Sequence, residues 1–108
     1  MKLYIGGAYQ GQLELARAEN PDALILADFH ETVQKAMRRG EDARAFAQSV
    51  VAAHPDAVIV ANKVGAGVVP IEAQERAFRE AVGRALCVVA QEARQVTRVV
   101  CGIGVRIK

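Results

Sequence analysis

Tryptophan is absent from this sequence, and aromatic residues make up only 5% of it against 52% hydrophobic residues overall. Its core must therefore be aliphatic and rich in alanine and valine, which brings packed elements close together. Cysteine is scarce as well. Cys87 and Cys101 are too few and too far apart for a zinc ribbon or a disulfide framework, and both are expected to be buried small hydrophobes. No apolar run reaches the roughly 18 residues of a membrane helix, and no charged-then-apolar leader follows Met1, so a cytoplasmic chain without membrane contact is expected. A surplus of one charge is lacking too: the formal net charge is +2, from scattered arginines, which argues against a nucleic-acid partner. The densest basic spot, Met37-Arg38-Arg39-Gly40, reads as a helix C-terminus whose cations favour the helix dipole. At 108 residues the length suits one domain, 1–108.

The stretch that is present and most informative lies at the start. The apolar run Leu3-Tyr4-Ile5 empties into Gly6-Gly7-Ala8-Tyr9-Gln10-Gly11-Gln12-Leu13 and then into a helical pattern from Gln10 to Ala18. Strand, glycine loop and helix in that order form a phosphate cradle, because glycines let the backbone curl around an anion and the helix N-terminus points free N–H groups at it. The full pattern, G-x-x-x-x-G-K-[ST], adds a lysine for the outer phosphates and a hydroxyl for magnesium. Here Gly6 and Gly11 keep the spacing, whereas Gln12 stands at the lysine position and Leu13 at the hydroxyl position. Hydrogen bonds to charged groups contribute roughly 1.5–3 kcal/mol each, so the two replacements weaken triphosphate binding and damage phosphoryl transfer still more. Two readings are open for the loop, a weakened phosphate cradle or a tight strand-to-helix turn.

Further along, Ala23-Leu24-Ile25-Leu26-Ala27 suits a parallel strand covered on both faces, ending in Asp28. An acid at that end of a strand can hold a hydrated magnesium ion, and it can equally be the N-cap of the helix through Val33, Ala36 and Met37. His30 lies at the edge of this site; a lone histidine there is more often packed or solvated than catalytic. The apolar positions Ala43, Phe46, Ala47, Val50 and Val51 predict a helix over 41–53. His54 falls in the linker before the β-branched strand Ala57-Val58-Ile59-Val60-Ala61, at the end away from any site. That strand runs into a second glycine loop, Asn62-Lys63-Val64-Gly65-Ala66-Gly67-Val68-Val69-Pro70, and two such loops at strand C-terminal ends are where open α/β sheets place ligands. A helix over 71–93 follows, with Ala73, Ala77, Phe78, Ala81, Val82, Ala85 and Val89 on its inner stripe. Its stretch Ala85-Leu86-Cys87-Val88-Val89-Ala90 is apolar all round, which calls for cover on every side and suggests a homo-oligomer. Thr97-Arg98-Val99-Val100-Cys101 is the last core strand, and Gly102-Ile103-Gly104 is expected to reverse into Val105-Arg106-Ile107. The class is α/β.

The loop Asn62 to Pro70, with Phe78-Arg79, Gly83-Arg84 and the terminal run from Val99 to Lys108, closely resembles the C-terminal half of the adenosylcobinamide kinase / adenosylcobinamide-phosphate guanylyltransferase family. Gly6 to Gly11 resembles that family's phosphate loop, and Leu26-Ala27-Asp28 its second acidic strand end. The resemblance implies a three-layer P-loop (RecA-like) fold with a mostly parallel sheet and an antiparallel edge hairpin. It further implies oligomers, GTP or ATP with magnesium, a corrinoid substrate and a role in adenosylcobalamin assembly. It predicts the sheet order Thr97 strand, Leu3 strand, Val58 strand, Leu24 strand, with 105–107 antiparallel at the edge. The departures gather where the chemistry of the family sits: Gln12 and Leu13 replace the loop lysine and serine, Lys63 replaces a glutamate, and Leu86-Cys87 replace an Asn-Gln pair. The segment that carries the guanylylated histidine in the family has no counterpart between the first helix and Asp28, and neither His30 nor His54 stands in its motif. The resulting expectation is a degenerate relative that binds a nucleotide or corrinoid weakly with little or no catalysis. The alternatives are a non-catalytic oligomeric or regulatory subunit, and an active kinase that uses Lys63 as a replacement phosphate cation.

Overall fold

The computed structural model describes residues 1–63 and 73–108. In chain order the elements are β1 (Lys2–Gly6), α1 (Gln12–Glu19), β2 (Ile25–Leu26), α2 (Phe29–Arg38), α3 (Ala43–Ala53), β3 (Val58–Asn62), α4 (Ala73–Glu92), β4 (Gln95–Val100) and β5 (Ile103–Arg106). The strands form one sheet in the order β2-β3-β1-β4-β5, parallel except for the β4–β5 pair. This is the predicted order, with β1 in the middle.

The handedness of parallel crossovers explains where the helices lie. From β1 the chain moves past β3 to reach β2, carrying α1. From β2 to β3 and from β3 to β4 it moves the other way, so α2, α3 and α4 cover the opposite face. The packing agrees. Leu3, Ile59 and Val96 join Phe29, Val33, Ala47, Val82, Ala85 and Val89 in the larger core. Tyr4, Val58, Val60 and Val99 point the other way and pack on Ala16 of α1. Alternation along β1 thus feeds two cores from one strand, and the result is three layers. Because the crossovers leaving the neighbours β1 and β3 go to opposite faces, a crevice opens at the C-terminal ends of these two strands.

Local chemistry sets the element ends. The Asp42 side chain caps α3 by accepting from the Ala45 N–H at 2.9 Å. After α2, the N–H of Gly40 bonds Met37 O and that of Glu41 bonds Ala36 O, the paired bonds of a Schellman stop. The β4–β5 reversal uses Cys101 (φ 51) and Gly102 (φ 76), two left-handed residues in succession as a two-residue hairpin turn requires.

Several sequence expectations need correction. The reversal is at Cys101-Gly102, so Ile103 and Gly104 belong to β5. The run Ala23 to Ala27 gives only the two-residue edge strand β2, and Leu24 is exposed; an edge strand has no neighbour to keep both faces covered. Helix α1 starts at Gln12, after the left-handed Gly11. Both cysteines are exposed, Cys101 in the hairpin turn and Cys87 on α4. The inner stripe of α4 is buried at Val82, Ala85 and Val89 but exposed at Ala73 and Ala77.

Candidate functional site

The glycine loop leaves β1 at the crevice. Gly6 packs its backbone on the carbonyl oxygen of Val99 in β4, leaving no room for a Cβ. The loop is clipped at two points. Gln10 holds the hairpin turn, its Oε1 accepting the Cys101 N–H and its carbonyl accepting the Gly102 N–H, both at 2.7 Å. Lys63 donates its backbone N–H to Gly6 O at 2.8 Å, which seats the end of β3 beside the loop. Tyr9 at the loop tip has φ 60 and a fully exposed ring. A non-glycine residue in that region carries strain of roughly 1–2 kcal/mol.

Gln12 is the buried centre of the site. Its side-chain amide donates to Gly7 O at 2.9 Å and to Asn62 Oδ1 at 2.9 Å, so it ties the loop to β3 from inside. Asn62 is held in turn by His30, whose Nδ1 accepts the Asn62 backbone N–H at 3.0 Å. His30 is buried in the first turn of α2. This histidine therefore acts through Asn62 and Gln12 as a support behind the loop.

A cavity of about 640 Å³ opens in front of these residues, lined by Ala8 to Leu15, Asp28, Val60, Asn62 and Gly102. The structure thus brings together Ala8, Tyr9, Gln10, Gly11, Gln12, Leu13, Asp28 and Asn62 from the predicted set. Gly6 and Gly7 shape the loop without lining the cavity. Lys63 lines a different cavity on the α4 side of the sheet. Val64, Gly65 and Gly67 lie outside the described residues. Sequence reasoning missed Glu14, Leu15, Val60 and Gly102 as lining residues; the acidic first turn was the available signal for Glu14, whereas Gly102 comes from a distant hairpin.

The electrostatics are unlike those of a triphosphate site. No side chain caps α1, so its N-terminal N–H groups face the loop without a protein acceptor from a side chain. Yet the charged side chains lining the cavity are the carboxylates of Glu14 and Asp28, and no lysine or arginine lines it among the described residues. Asp28 occupies the N-cap position of α2 in a left-handed conformation (φ 52), makes no side-chain cap bond and is exposed. Among the described residues no group of three or more His, Cys, Asp and Glu side chains could hold a metal ion. With Leu13 offering no oxygen, the residues present do not fit a magnesium–triphosphate site. Behind α1, the Tyr4 hydroxyl donates to Glu19 Oε1 at 2.8 Å and accepts from Asn20 Nδ2 at 2.9 Å. Burial, assisted by the Glu19 carboxylate, raises this phenol above its ordinary value of 10.0.

The family comparison agrees with this architecture. The model of the cobinamide kinase / cobinamide phosphate guanyltransferase family matches residues 14–107. The chain belongs to that family. A relative is the bifunctional adenosylcobalamin biosynthesis protein CobU of Escherichia coli strain K12, 47% identical over 51 residues that make up 47% of this chain and 28% of the relative. The chain therefore spans well under two thirds of that relative's length. Family membership points to adenosylcobalamin biosynthesis. The match begins at Glu14, after the glycine loop, so the phosphate-loop reading stands on the loop's geometry. Among the described residues no helix is long and apolar enough to cross a membrane.

Proposed function

We propose that this chain is a degenerate cobinamide kinase relative that binds a nucleotide or corrinoid weakly in the loop-side cavity and catalyses little or no phosphoryl or nucleotidyl transfer. The observation that carries this reading is the position of Gln12. At the site where a phosphate-loop lysine would offer its charge, a neutral amide is turned inward and engaged with Gly7 O and Asn62 Oδ1. The cradle keeps its backbone shape, while Glu14 and Asp28 add like charge to any phosphate that enters. The exposed Tyr9 ring at the cavity mouth supplies a face on which a flat heterocycle can stack.

Titration calorimetry with GTP and ATP, with and without magnesium, tests the proposal. Weak binding that ignores magnesium is expected. The double change Gln12→Lys with Leu13→Ser should tighten binding by about tenfold or more and introduce a magnesium effect, since each restored contact to a charged group is worth roughly 1.5–3 kcal/mol. Lys63→Glu alone should leave binding unchanged. Tight, magnesium-dependent binding by the unaltered chain would overturn the reading.

A second reading, a non-catalytic oligomeric subunit, draws support from one feature. Val100, Ile103, Val105 and Ile107 form an exposed apolar band at the β4–β5 edge. Sedimentation of the chain as a monomer at micromolar concentration would remove it.

A further inference from the structure

On the sheet face opposite the glycine loop, a cavity of about 360 Å³ lies between α4 and the floor made by β1 and β4. Its body is apolar: Leu3, Ile5 and Val96 form the floor, and Leu86 and Ala90 the helix wall. Helix α4 packs on both α3 and the sheet, so Leu3 and Val96 lie buried at the base of the cavity while Ile5 is only partly covered. Gly83, in the interior of α4, forms part of the wall, and a Cβ placed there would meet nothing within 4 Å. Glycine inside a helix is less stable than alanine, and here no close contact demands it; what it contributes is open space over the floor.

The charged side chains at this cavity are Lys63, Arg79 and Arg98, with no acid among the described lining residues. Arg79 is ion-paired with Glu75 at 2.6 Å. Among the described residues Lys63 and Arg98 take part in no ion pair. An apolar body with cations at its rim is complementary to a molecule that is apolar along its length and anionic at one end. The volume lies within the range of small-molecule pockets.

We infer that the α4-side cavity is a binding site for a small amphipathic anion, with its apolar part over Leu3, Ile5 and Val96 and its carboxylate or equivalent head held by Arg98 and Lys63. This site is separate from the loop-side cavity and does not depend on what that cavity binds.

Decanoate is a suitable probe, with decan-1-ol as its neutral counterpart. Calorimetric titration of the chain should give a dissociation constant for decanoate lower than that for decan-1-ol by about tenfold or more, the difference a charge-assisted contact makes. Arg98→Gln should remove most of that difference without changing alcohol binding. Gly83→Leu should abolish both by filling the space, whereas Gly83→Ala should retain decanoate binding; cooperative thermal melting of each variant shows that it folds. Equal affinity for acid and alcohol, no binding of decanoate, or binding unaffected by Arg98→Gln and Gly83→Leu would each overturn the inference. It would also be overturned if the chain sediments as an oligomer that Gly83→Leu dissociates and decanoate does not bind, since the cavity would then be the seat of a second copy.

Discussion

The two faces of the sheet are built from alternate residues of the same strands yet differ in nearly every physical respect. The face under α2, α3 and α4 holds most of the apolar core and opens into an apolar cavity rimmed by cations. The α1 face has a small core supplemented by polar ties, among them Tyr4 to Glu19 and Asn20, and Gln12 to Asn62, and it opens into a cavity whose charges are acidic. A net charge of +2 conceals this separation. The first face is thus held mainly by burial, whereas the second adds side-chain hydrogen bonds to a smaller apolar core.

Five substitutions test that division. The largest effect is expected from Phe29→Ala, which empties a fully buried ring site against Phe46 on the three-helix face and should cost about 3–5 kcal/mol in chemical denaturation. If the loss were under about 1 kcal/mol, that face would not be the main source of stability. Next comes Gly6→Ala at the seam, where the added Cβ meets the Val99 carbonyl; overpacking against backbone should cost about 2–3 kcal/mol and show as a lower denaturation midpoint. Gly104→Ala is the comparison, because its Cβ would meet side chains, Leu15 Cδ2 at 2.7 Å and Thr97 Cγ2 at 2.9 Å, of which the leucine can turn aside, so a smaller loss is expected.

On the α1 face, Gln12→Leu leaves Gly7 O and Asn62 Oδ1 without their donor and should cost about 1–3 kcal/mol. Its diagnostic is local: amide hydrogen exchange should quicken around residues 7–11 while the α2–α4 core stays protected. Tyr4→Phe should have the smallest effect at neutral pH, about 1 kcal/mol. Because the Tyr4 phenol is raised above its ordinary value of 10.0 in the folded state, its contribution is complete below that value and declines as pH rises through the folded value. Denaturation midpoints measured through the alkaline range should therefore fall more steeply for the unaltered chain than for Tyr4→Phe. Parallel curves would remove Tyr4 from the account.

The residues themselves specified a good deal of this molecule. Apolar patterning marked all four helices and all five strands to within a few residues, because a helix or strand with one buried face must repeat its hydrophobic positions at its own period. The glycines at Gly6 and Gly11 marked the loop between β1 and α1, and the likeness in the terminal half pointed to the family and, through it, to the sheet order. Tertiary structure decided the rest. An apolar run such as Ala23 to Ala27 does not say whether its strand will be central or at an edge, since that depends on which neighbours the crossovers bring. The pairing of Gln10 with the Cys101-Gly102 turn joins positions 91 apart, and no local pattern encodes it. Lys63 sits next to Asn62 in sequence, yet the two line different cavities on opposite sides of the sheet, because successive residues leaving a strand point to opposite faces.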